Sequence, residues 1–65
     1  MKKLKFIGRD YLPLTHGEEY QFIKAEDGLF PPDVYICVEC DGRKVWAHYW
    51  RFEITREAAA ALITN

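Results

Sequence analysis

Asp41-Gly42 constrains this chain more than any other pair of residues. Asp-Gly between two alternating runs favours a two-residue hairpin loop, because both central residues of that turn must take positive φ. The flanking runs, Val34 to Cys40 and Arg43 to Tyr49, are rich in β-branched and aromatic residues and read as strands. Once the turn is placed, the register follows. Cys40 faces Arg43, Glu39 faces Lys44, Val38 faces Val45, Cys37 faces Trp46, Ile36 faces Ala47, Tyr35 faces His48 and Val34 faces Tyr49. One face then collects Val34, Ile36, Val38, Val45, Ala47 and Tyr49, a set suited to a core. The other collects Tyr35, Cys37, Glu39, Lys44, Trp46 and His48, with Glu39 and Lys44 opposed as a cross-strand ion pair worth a few tenths of a kcal/mol. A slip by one residue would lose both features.

The rest of the chain breaks into short strands between turn signals. Lys3 to Ile7 reads as a first strand ending at Gly8, and Tyr11 to Gly17 as a long loop. Glu19 to Lys24 alternates, with Tyr20 and Phe22 on one face, and reads as a second strand. Glu26-Asp27-Gly28 and Pro31-Pro32-Asp33 punctuate a loop, since Pro-Pro has no place in a central strand. His48 to Phe52 is crowded with aromatic rings and leads to Glu53-Ile54, a short last strand. Thr55 is a good N-cap and Glu57 suits the first turn of a helix. Ala58 to Ile63 continues that helix, which is too short to persist unless Leu62 and Ile63 dock it. The expectation is one all-β, barrel-like domain over residues 1–65, with the barrel at 2–54 and a C-terminal helix at 55–64.

A chain of 65 residues holds one domain, and one this small buries only about 60% of the surface its unfolded chain exposes. The apolar fraction of 49%, with four Phe, four Tyr and two Trp, is enough for a core without a disulfide or metal staple. The net charge of −1 lacks the basic footprint of a nucleic-acid binder. Lys2, Lys3 and Lys5 read as charges that protect an edge strand. No run approaches the roughly 20 apolar residues of a membrane span. Gly8-Arg9-Asp10 interrupts what would otherwise begin like a signal segment. Two cysteines without a signal peptide fit reduced thiols in a cytoplasm.

The stretch Leu12-Pro13-Leu14-Thr15-x-Gly17-x-x-Tyr20, followed by the Asp41-Gly42 hairpin and Phe52-Glu53-Ile54, resembles small SH3-like β-barrel proteins of phages, prophages and bacteria, mostly uncharacterised. The resemblance covers roughly residues 4 to 54. It implies an SH3-like barrel of about five strands, to which the helix from Thr55 is an addition. It also implies a phage-encoded accessory or inhibitor protein acting in the host cytoplasm by occluding a site on a bacterial protein. The proline-rich ligands of eukaryotic SH3 domains are not carried over, because the paired aromatics do not fall at the expected motif positions.

Cys37-Val38-Glu39-Cys40 has the C-x-x-C spacing, but a structural zinc site needs four ligands. Only His16 and His48 could complete it, and the two thiols have opposite parity: Cys40 faces the core and Cys37 faces outward. Neither a metal nor any other cofactor is expected. Asp10, His16 and Glu18 share one loop, yet nothing there supplies a nucleophile or an oxyanion hole, and the chain has no serine. An enzyme is not expected. The aromatics are the sharper clue, since Trp, Tyr and Arg concentrate at binding hot spots. Tyr35, Trp46, His48 and Trp50 lie off the core face of the hairpin, and Tyr11 and Glu18 come from the long loop. These six are the candidate partner-binding residues. Either the C-terminal helix covers this face or a partner does. The function expected is a non-enzymatic protein-binding module. The alternatives are a nucleic-acid-binding small barrel, which would stack bases on these rings, and a structural subunit that self-associates into a homo-oligomer.

Overall fold

The structure is a computed structural model that describes residues 2–9, 11, 13–30 and 33–63. It contains four antiparallel strands in one open sheet, ordered β1 (Lys3–Lys5), β2 (Glu19–Asp27), β3 (Val34–Cys40) and β4 (Arg43–His48). A 3-10 turn follows at Tyr49–Arg51, and a single short helix, α1, spans Arg56–Ala61. Among the described residues no helix is long and apolar enough to cross a membrane.

The β3–β4 hairpin has the register that Asp41-Gly42 dictates. Tyr35 pairs with His48, Ile36 with Ala47, Cys37 with Trp46, Val38 with Val45, Glu39 with Lys44 and Cys40 with Arg43. Asp41 and Gly42 take φ of 51° and 79°, the positive values this turn needs. The expected ladder runs one pair too far. Tyr49 leaves the strand for the 3-10 turn, where Phe52 N–H donates to its carbonyl at 3.0 Å, so the β3–β4 ladder ends at Tyr35–His48. Glu39 stands opposite Lys44, but the lysine–carboxylate ion pair of the described residues is Lys24–Glu26.

β2 is longer than its alternation suggested, running through Glu26 and Asp27. The reason is a bulge at Ile23. Phe22 pairs with Val38 and Lys24 with Cys37, so Ile23 is the extra residue. The bulge switches parity along the strand. Before it, Phe22 shares the inner face with Val38. After it, Ala25 does so opposite Ile36, and Lys24 is turned outward. Without the bulge the lysine would point into the core.

Two further boundaries differ. β1 ends at Lys5 rather than Ile7, and Phe6 makes an isolated bridge to Phe52. Glu53-Ile54 is not a strand, because Ile54 N–H folds back onto the Phe52 carbonyl at 2.9 Å. Backbone bonds still tie this segment to the first: Glu53 N–H donates to the Lys5 carbonyl at 2.8 Å and Ile7 N–H to the Arg51 carbonyl at 2.7 Å.

The core gathers Leu4, Phe6, Leu14, Ala25, Val34, Ile36, Val38, Cys40, Ala47, Phe52 and Ala59. Phe6 and Phe52 meet edge to face at 5.6 Å. Thr55 caps α1 as expected, its hydroxyl accepting from Ala58 N–H at 3.1 Å. The helix is shorter than 55–64: Leu62 N–H bonds the Ala59 and Ala60 carbonyls as a C-cap, and Ile63 forms a parallel bridge with Ala25. Thr64 lies outside the described residues. Because Ala59 is buried and Leu62 and Ile63 pack on the core, α1 covers the inner face of the sheet. The outer face is therefore not the one this helix packs on.

Candidate functional site

The outer face is organised by cross-strand rows. One row runs Lys24, Cys37, Trp46 across β2, β3 and β4. The Lys24 ammonium lies 5.4 Å from the centre of the Trp46 ring, so the two outer members reach over the cysteine between them. This corrects the expectation of an exposed thiol. Cys37 is 0% exposed although it points away from the core. Burial pushes its thiol pKa up, while Lys44 and Lys24 pull it down and Glu26 adds to the rise. The net upward shift keeps the thiol protonated and a poor nucleophile. Cys40, on the other face, is buried in the core, with its Sγ 3.8 Å from the Pro13 carbonyl, and both cysteines are free.

The next row is Glu26, Tyr35, His48, and here the sequence reading missed the central contact. Asp33 Oδ2 lies 2.7 Å from His48 Nδ1. A carboxylate only accepts, so Nδ1 carries the proton and Nε2 is the acceptor of the neutral ring. Asp33 Oδ1 also accepts from Val34 N–H at 2.9 Å. In the sequence Asp33 reads only as turn punctuation. A usable signal was present: it shares the parity of Tyr35, so extending the ladder puts it on the outer face, on the diagonal from His48. Gly28 helps to set it. The Gly28 N–H donates to the Asp33 carbonyl at 2.8 Å, and a Cβ at Gly28 would sit 2.7 Å from the Asp33 Cβ.

From His48 a continuous stack of π systems runs along the edge of the sheet. Tyr35 meets His48 edge to face at 5.0 Å, and His48 stacks on Trp50 at 5.1 Å with the planes 11° apart. The Arg51 guanidinium then lies between Trp50 at 4.7 Å and Tyr11 at 4.5 Å. Among the described residues its buried Nε has no hydrogen-bond partner. Tyr11 closes the stack by donating its hydroxyl to the Trp46 carbonyl at 2.6 Å, which occupies an outward carbonyl of the edge strand β4. Tyr11→Phe is therefore expected to cost about 1 kcal/mol in thermal or urea unfolding. A variant as stable as the parent would mean that the loop is held by ring packing alone.

Two concavities flank the Asp33–His48 pair. One, of about 220 Å³, is lined by Tyr11, Tyr35, Trp46, Ala47 and His48. The other, of about 200 Å³, is lined by Phe30, Asp33, Tyr49 and Trp50. Trp46 is 37% exposed and Trp50 54%, and beside them Phe30 is exposed by 78%. Of the six candidate residues, the fold brings Tyr11, Tyr35, Trp46, His48 and Trp50 together. Glu18 does not line either concavity; its carbonyl accepts from Phe6 N–H at 2.9 Å. His16 is a loop brace, its Nδ1 lying 3.0 and 3.2 Å from the carbonyls of Ile7 and Gly8. Asp10, the third member of the loop cluster, lies outside the described residues. Among the described residues no three His, Cys, Asp or Glu side chains converge as metal ligands.

Compared with protein-family models, curated proteins and solved structures, the chain has no match in any of the three.

Proposed function

We propose that this protein is a non-enzymatic protein-binding module, a small SH3-like barrel acting in a bacterial cytoplasm as a phage-encoded accessory or inhibitor. It would occlude a site on a host protein with its outer aromatic face. The observation that carries this reading is the stack Tyr35–His48–Trp50–Arg51–Tyr11, with Trp46 beside it. Tyr, Trp and Arg are the residue types that dominate binding hot spots. Rings held by one another lose little entropy on binding, so the face is preorganised. The helix packs on the opposite side of the sheet and leaves this face open.

The barrel reading draws support from the element order and from the backbone ties between residues 5–7 and 51–53. These ties would let the last segment act as a fifth strand. The phage origin and the host-directed role rest on the resemblance carried by Leu12 to Tyr20 and Phe52 to Ile54.

Trp46→Ala is the test. The partner is first isolated from bacterial lysate by affinity capture and identified by mass spectrometry. Calorimetric titration is then expected to show binding weakened by about 1–3 kcal/mol, with circular dichroism unchanged. Glu39→Ala, which removes a charge from the same sheet face, should change the affinity little. A folded Trp46→Ala that binds as well as the parent would move the interface off this face.

A further inference from the structure

The concavity at the loop end of the outer face has a definite chemistry. Of the four described residues that line it, three are aromatic, Phe30, Tyr49 and Trp50, and the fourth is Asp33. A carboxylate offers about four lone-pair positions. Asp33 uses one on each oxygen, for Val34 N–H and His48 Nδ1–H. Each oxygen therefore keeps capacity for one further donor. No lysine or arginine among the described residues forms an ion pair with Asp33. Glu26, on the same outer face near the end of β2, is paired with Lys24. A half-buried carboxylate walled by rings is complementary to a cation, because carboxylate charge and ring quadrupole attract it together.

We propose that this pocket receives an arginine side chain of the partner protein. The inference rests on the reading of the chain as a protein-binding module and adds the chemistry of one contact. A guanidinium is planar, donates two parallel N–H bonds to a carboxylate and stacks on aromatic faces, whereas an ammonium is a point charge that does neither. The chain's own Arg51 stacks on Trp50 in this way, on the Tyr11 side and outside the pocket lining. Phe30 is exposed enough to close over a guanidinium from the other side.

The pocket is testable without the partner. The full chain, labelled with nitrogen-15, is titrated with N-acetyl-arginine N-methylamide, with the citrulline analogue as an uncharged isostere, and with the lysine analogue. The arginine probe is expected to give saturable shifts at the Trp50 indole N–H and at the Phe30 and Asp33 amides, with the other two probes at least about tenfold weaker. Asp33→Asn keeps the side-chain shape and the acceptor for Val34 N–H, while its amide N–H turns His48 Nδ1 into the acceptor. This variant and Phe30→Ala, on an exposed ring, should each weaken the response by roughly the same factor. Equal shifts from citrulline would overturn the ionic contact, and equal shifts from lysine would overturn the assignment to arginine. Shifts that do not saturate, or that persist in both variants, would overturn the site. If the titration fails while Trp46→Ala still loses the partner, the binding face stands and only this contact is lost.

Discussion

Phe52→Ala is expected to remove about 3–5 kcal/mol of stability, the usual cost of deleting a buried phenyl ring. The ring is almost wholly buried and packs edge to face on Phe6, itself fully buried. Its backbone bridges Phe6 and closes the 3-10 turn through the Tyr49 carbonyl. One side chain thus anchors the segment after β4 to the segment after β1. A single core in a chain of 65 residues rarely supplies more than about 3–5 kcal/mol. Urea denaturation should therefore show a largely unfolded variant at room temperature. A loss below about 1 kcal/mol would mean that the core can collapse around the missing ring.

Ending the chain after Ile54 is expected to have the second-largest effect. It removes Ala59 from the core and takes Leu62 and Ile63 off its margin. It also removes the Ile63 bridge to Ala25, which is buried on the inner face. Half-burial of two aliphatic side chains is worth about 1 kcal/mol each, and exposing the inner face adds to that. Part is returned as the entropy of a helix that could not persist unaided. A net loss of about 2–3 kcal/mol should lower the melting temperature by at least about 10 °C and leave a chain prone to aggregate. A truncated chain that melts with the parent and stays monomeric would show that α1 adds nothing to the core.

The sequence alone determined the hairpin, because Asp41-Gly42 accepts positive φ where most residues do not and alternation then leaves a single register. It determined the helix N-cap, because Thr55 can satisfy an orphan N–H from within three residues. It also separated the inner from the outer side of β3 and β4, and so named Tyr35, Trp46 and His48 as residues of the outer face. These are local matters, governed by backbone sterics and by side-chain period.

What the tertiary structure decided involves residues far apart in the chain. The Ile23 bulge is set by the need to seat both Phe22 and Ala25 against β3, which no local pattern in β2 reveals. Cys37 is buried because Lys24 and Trp46, on the two neighbouring strands, meet above it. The side on which α1 docks follows from the Phe6–Phe52 bridge and the Ile63–Ala25 bridge. Asp33 becomes part of the site through a 2.7 Å bond to a histidine 15 positions away. Burial and long-range pairing depend on which segments the chain brings side by side, and alternation within one segment carries no record of its neighbours.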